Sequence, residues 1–316
     1  MKNGICLLDD RGEMLHAHGG HILKVGEWYY WYGENRLEDI FVSCYKTKDF
    51  KNFIFCNHVL TAKSKTFDNG KGWDLALTQT QDFLDNGLLR RTNEKGEVLC
   101  NIERPKVVRA KNGKFVMWMH YENGIDYLAA RCAVAVCDTP DGDFTYLGSF
   151  NPCGFMSRDC TLYTENDKTY FISAARDNKD LHVYRLTADC LDIGAHVSTL
   201  FPDQLREAPA FFRKDGKTYL LTSGCTGWAP NQGKWAVAED VESAFSPLYD
   251  FGDETTFTSQ PTFVMQIGDT YYYFADRWGG NGEKYFLSTY VVLSIAFDGD
   301  KPYIEYKDEV ELMGYN

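Results

Sequence analysis

No stretch of this 316-residue chain approaches the roughly 18 consecutive apolar residues of a membrane span. The opening segment, Met1 to Asp10, also lacks an apolar core of signal-peptide length, so a cytoplasmic protein is the expectation. Basic charge is in short supply: 33 Lys and Arg stand against 45 Asp and Glu, a net charge of −12. That balance argues against nucleic acid or an anionic membrane as partner and leaves a neutral ligand as the simpler expectation. The ten cysteines include no C-x-x-C pair, which argues against a zinc centre or a compact disulfide framework. No other ligand cluster with metal spacing occurs, so neither metal nor cofactor is expected.

What the chain has instead is aromatic side chains, 20 Tyr and 21 Phe among them, which suit strands and sugar-stacking surfaces. Many belong to a repeated unit in which a one-residue turn signal precedes an aromatic strand. The units read Gly26-Glu-Trp-Tyr-Tyr, Gly113-Lys-Phe-Val-Met, Asp167-Lys-Thr-Tyr-Phe, Gly216-Lys-Thr-Tyr-Leu and Gly268-Asp-Thr-Tyr-Tyr. Successive anchors lie 87, 54, 49 and 52 residues apart. Three of these spacings fall near the length of one propeller blade, and none leaves room for the crossover helices of a parallel sheet. Between anchors, short strands alternate with turns, as in 106–110, 114–121, 128–137 and 144–150. The expected fold is all-β, a single five-bladed β-propeller over residues 1–316, with four antiparallel strands in each blade. The long first spacing marks an insertion at about 63–100, with a short helix near Leu77–Leu84, placed where it could overhang one face and wall off outer subsites.

Eight to ten residues before each anchor stand His18, Glu103, Asp159, Glu207 and Gln260. In a propeller the innermost strands line the axis, so residues in one phase converge at one mouth of the channel. Three carboxylates gathered there repel, and at least one should hold its proton near neutrality. A protonated acid beside ionised partners is what cleavage of a glycosidic bond requires.

In these motifs the chain resembles glycoside hydrolase family 43, and within it the exo-β-1,3-galactanase-like subfamily. The resemblance is carried by Ala17-His-Gly-Gly20 with Tyr29-Tyr-Trp-Tyr-Gly-Glu34, by Glu103-Arg-Pro-Lys-Val107, and by Ser157-Arg-Asp159. It continues in Glu207-Ala-Pro-Ala with Thr222-Ser-Gly-Cys-Thr-Gly-Trp-Ala-Pro-Asn231, and in Ser259-Gln260 with Asp276-Arg-Trp278. It implies Glu207 as general acid and Asp159 as the carboxylate that tunes and orients it. Gln260 is implied to position or activate water, and Glu103 to hold galactose hydroxyls. Most of the wider family places an aspartate base in the first blade, where this chain has His18-Gly19. A carboxamide has negligible basicity, so Glu103 as the base stays open beside Gln260.

Tyr127, Asn178, Thr226, Trp228, His18 and Glu34 complete the candidate substrate contacts. Core packing is the competing reading for Tyr127 and Trp228 and the favoured one for Trp31 and Trp118; His18 could equally be a structural histidine. The implied activity is inverting, exo-acting removal of terminal β-1,3-linked galactose from galactan or arabinogalactan-derived oligosaccharides. An α-L-arabinofuranosidase or β-xylosidase, or a non-catalytic sugar-binding propeller, are the alternatives.

Overall fold

The structure, a computed structural model, describes residues 1–80 and 91–312. Five four-stranded antiparallel sheets follow one another along the chain. The first blade comprises β1 (His18–Val25), β2 (Trp28–Glu34), β3 (Ile40–Thr47) and β4 (Ile54–Thr61). A two-stranded pair, β5 (Thr78–Gln79) and β6 (Val98–Leu99), precedes the second blade: β7 (Asn101–Arg109), β8 (Phe115–Glu122), β9 (Arg131–Cys137) and β10 (Thr145–Phe150). The third holds β11 (Cys160–Glu165), β12 (Lys168–Ala175), β13 (Asp180–Leu186) and β14 (Ile193–Leu200). The fourth holds β15 (Arg206–Lys214), β16 (Lys217–Gly224), β17 (Gly233–Ala238) and β18 (Tyr249–Phe251). The fifth holds β19 (Gln260–Ile267), β20 (Thr270–Arg277), β21 (Thr289–Asp298) and β22 (Lys301–Ile304). The expected turn anchors separate the first and second strands of each blade.

The first strands run side by side around the axis: β1 touches β7, β7 touches β11, β11 touches β15, β15 touches β19, and β19 returns to β1. Apolar residues fill the wedges between blades. Trp118, fully buried, packs on Phe171 of the third blade and gives its indole N–H to the Cys190 carbonyl. Trp31 packs edge-on against Phe274 and Tyr290 of the fifth. Both tryptophans are core residues, as expected of their strands. The Tyr32 hydroxyl reaches across to the Pro140 carbonyl at 2.6 Å and so ties the first blade to the second. Tyr32→Phe should cost about 1 kcal/mol, the usual net worth of such a bond. The expected readout is a lower urea midpoint with an unchanged slope; an unmoved midpoint would show the tie to be redundant.

The inner strands share an irregularity at their upper ends. In β1, three residue steps from His18 to His21 face two steps from Glu34 to Tyr32. The same single extra residue occurs in β7 after Glu103, in β15 after Glu207 and in β19 after Pro261. The bulge residues Gly19, Arg104 and Ala208 have φ of 58°, 52° and 52°. A glycine takes that conformation freely, whereas arginine and alanine carry strain of about 1 kcal/mol or more. Bulges of this kind re-aim a side chain beside a functional site.

The insertion differs from its expectation. Its first part runs along the outer edge of the second blade, where Thr66 bridges Tyr146, Asp74 bridges Ser149, and Trp73 stacks on Phe150. Leu77 to Gln79 is not helical: Thr78 and Gln79 pair with Leu99 and Val98 instead. Thr80 is not helical either, and the rest of the expected helix, 81–84, lies outside the described residues. All ten cysteines are free thiols, five of them buried. Among the described residues no helix is long and apolar enough to cross a membrane.

Candidate active site

The bulged heads of β7, β15 and β19 deliver side chains to a pocket of about 260 Å³ at one end of the axis. Of the residues singled out in the sequence, Glu34, Glu103, Tyr127, Asp159, Asn178, Glu207, Trp228 and Gln260 line it together. His18 and Thr226 do not. His18 is buried below, with Nδ1 2.9 Å from Asp276 Oδ1 and its ring stacked on Tyr290. The Thr226 hydroxyl donates to the Ala229 carbonyl at 2.6 Å and accepts from Asn231, which shapes the turn behind Trp228.

Glu207 is the centre of the polar network. Its Oε1 accepts a hydrogen bond from Gln260 Nε2 at 3.0 Å, and its Oε2 accepts one from Asn178 Nδ2 at 3.1 Å. Burial, and then the negative charge of Asp159, push its pKa up to about 8; Arg104, the Cys225 thiol and Gln260 pull the other way. Glu207 therefore keeps its proton through neutrality and loses it as the pH rises past about 8. Asp159 is paired with Arg104 Nη2 at 3.0 Å.

Glu103 is the opposite case. Burial disfavours its charge, but a hydrogen bond from His120, the Arg36 guanidinium and the Tyr127 hydroxyl outweigh that and hold it well below the usual carboxylate range. Its Oε1 accepts from Arg36 at 2.8 Å and from Tyr127 at 2.6 Å, and His120 Nδ1 lies 3.2 Å from Oε2. His120 is buried, which alone would lower its pKa, yet Glu103 and Glu122 on its two sides raise it to about 10. It stands as an imidazolium. Glu34 pairs with Arg36 at 2.9 Å, but burial still pushes its pKa upward.

One wall is aromatic. The rings of Trp228 and Trp278 meet edge to face at 5.4 Å, Trp278 stacks on Tyr285, and Arg36 lies 4.5 Å over the Tyr285 ring. Such a wall offers a sugar's apolar face a surface while the opposite side offers charged hydrogen-bonding groups. Beneath the pocket, buried Lys106 donates to the carbonyls of Gly19 and Gly20, each at 2.6 Å. Burial, reinforced by Arg104, brings its pKa down to about 7.

Arg36, Arg104, His120, Arg158, Trp278 and Asn281 also line the pocket and were not singled out in the sequence. Arg104, Arg158 and Trp278 stand inside motifs read there, the two arginines next to Glu103 and Asp159. No described residue of the 63–100 insertion lines it. Glu103, His120 and Asp159 bring ligand-type atoms within 4.8 Å of one another, the one such grouping among the described residues. A metal ion would have to displace Arg36 and Arg104 from the carboxylates and deprotonate His120, so the donor set does not suit one.

Fold and site define a five-bladed propeller with a carboxylate-lined, sugar-sized pocket on its axis. The profile of glycosyl hydrolases family 43 matches residues 105–250. Over that stretch the chain is similar to that family. It is 43% identical to an exo-β-1,3-galactanase from Clostridium thermocellum, with a TM-score of 0.83 over 98% of this chain and 65% of that one. An exo-β-1,3-galactanase from Phanerochaete chrysosporium, solved with β-1,3-galactotriose, is 29% identical with a TM-score of 0.82 over 98% of this chain and 67% of that one. A family 43 β-1,3-galactosidase solved with galactodeoxynojirimycin is 28% identical, with a TM-score of 0.82 over 99% of this chain and all of that one. The chain thus spans about two thirds of the length of the first two relatives. No curated protein matches it.

Proposed function

We propose that the chain is an inverting exo-glycosidase that hydrolyses terminal β-1,3-linked galactose from galactan or arabinogalactan-derived oligosaccharides. The observation that carries this reading is Glu207, a carboxyl group that keeps its proton up to a pH of about 8 while Asp159 and Glu103 are tied to cations around it. A group of that kind can protonate the oxygen of a leaving sugar at neutral pH. In this reading Asp159 sets the acid's pKa and Glu103 grips galactose hydroxyls with Tyr127. Trp228 carries the apolar face of the ring. The pocket is smaller than the roughly 300–1,000 Å³ typical of sites for larger ligands, which suits one terminal sugar unit. The activities named for the related structures supply the galactose and the β-1,3 linkage.

The test is to follow hydrolysis of β-1,3-galactobiose by proton NMR, with aryl arabinofuranoside and xyloside in parallel. Galactose should appear first as the α-anomer, the outcome of a single displacement at a β-linkage. First appearance of the β-anomer would overturn inversion. Release of arabinose or xylose in preference would overturn the substrate.

A further inference from the structure

Gln260 stands at the head of β19 with its carboxamide in the pocket wall. Its oxygen accepts hydrogen bonds from the Arg104 guanidinium and from Trp278 Nε1, the latter at 2.8 Å. Its nitrogen donates to Glu207 Oε1 at 3.0 Å and to Ser223 Oγ at 2.9 Å. The amide cannot be turned over, because a guanidinium and an indole N–H only donate and must face its oxygen. A carboxamide has two oxygen lone pairs and two N–H protons, and all four positions are occupied. Water approaching Gln260 meets no free acceptor. The cationic donor on Oε1 also draws electron density from the nitrogen, strengthening its N–H bonds as donors.

We infer that Gln260 is a positioning residue for the acid: by donating to Glu207 Oε1 it makes that atom the acceptor oxygen and leaves Oε2 to carry the proton. The inference rests on the glycosidase reading above and assigns Gln260 to the leaving-group side of the reaction instead of the water side. The Oε2–H bond breaks as the proton passes to the glycosidic oxygen, which keeps the electron pair of the broken C–O bond. Water supplies the new hydroxyl at the anomeric carbon, and its remaining proton restores Glu207 through solvent. Asn178 can follow the change. Its Oδ1 is buried without a partner among the described residues, and a flip of the amide would turn that oxygen towards a protonated Oε2. After transfer, the Nδ2 donor seen here meets the carboxylate.

The experiment compares two galactosides that differ in their need for an acid. A β-1,3-linked disaccharide needs its leaving oxygen protonated, whereas dinitrophenolate departs unaided. Gln260→Leu should lower kcat/KM on β-1,3-galactobiose by about 10²-fold, the lower end of a general acid's contribution. On dinitrophenyl β-galactoside the loss should stay below about tenfold, as expected also of Glu207→Gln. Because Gln260 favours the ionised form of Glu207, its removal should move the basic limb of the pH profile upward. Added azide should not accelerate the variant. Trp278→Phe, which removes only one donor from the Gln260 oxygen, should shift both readouts in the same direction by less, and it carries the test if Gln260→Leu fails to fold. Equal loss on both substrates, an unmoved basic limb and restoration by azide with formation of galactosyl azide would overturn the inference and return Gln260 to the water side. Wild-type protein inert towards both substrates would overturn the glycosidase reading itself, and the inference with it.

Discussion

Glu207→Gln should lower kcat/KM for β-1,3-galactobiose by about 10²- to 10⁴-fold, the range a general acid contributes, while galactose binding stays near that of the wild type. The substituted amide keeps the shape and can meet the same neighbours, but it has no proton to give. The pH dependence adds a second signature. Glu207 is active when protonated, so the wild-type basic limb should fall near its pKa of about 8. Asp159→Asn removes a negative charge that raises that pKa, so the limb should move to lower pH. A Glu207→Gln loss below tenfold, or a limb that ignores Asp159→Asn, would place the acid elsewhere in the pocket.

Arg36→Met should cost about 3–5 kcal/mol of folding stability, which is what removing one partner of a buried ion pair typically costs. Arg36 is the shared partner of Glu34 and Glu103, and all three side chains are nearly out of water. Without it, Glu103 keeps His120 as its neighbouring cation, and Glu34 keeps only the charge of Arg104. The deficit should shrink as the pH falls. Burial already holds the folded-state pKa of Glu34 above its ordinary value, and losing the guanidinium that pulls it down raises it further, so acid neutralises that unpaired charge in the folded state first. Urea unfolding at pH 7 and pH 5 measures both effects. A cost below about 1 kcal/mol at pH 7 would show that the carboxylates already share a proton and do not depend on Arg36.

The ring of blades could be read from the chain because its signals are local. A glycine or aspartate turn and the aromatic strand after it sit within five residues, and the pattern recurs before every second strand. The long-range polar contacts of the pocket have no such signal. Arg36 reaches Glu103 across 67 residues and Arg104 reaches Gln260 across 156, and nothing near either arginine in sequence marks its partner. His18 shows the limit of phase as a guide. It stands at the same place on its strand as Glu103 and Glu207, yet Asp276 and Tyr290 hold its ring beneath the pocket floor. Thr226 likewise belongs to the right motif but serves its turn. The outer-edge path of the insertion was hidden for another reason: it is held by single bridges to the second blade, with only two residues in each strand of its own pair.

The single extra residue near the head of four inner strands has a consequence for how such a ring can change. Side chains along a strand alternate between two faces, and one added residue reverses the alternation. Each of these strands is therefore two short rulers joined out of step, the lower one dictated by packing in the wedge and the upper one also carrying the groups that face the pocket. A substitution at a pocket-facing position above the join, such as Glu103, Glu207 or Gln260, can swap one functional group for another while the strand below it keeps its packing. A one-residue deletion at the join would do the reverse, rotating Glu103 or Glu207 away from the axis while the rest of the blade still packs. The joint lets the chemistry of the ring drift independently of its architecture.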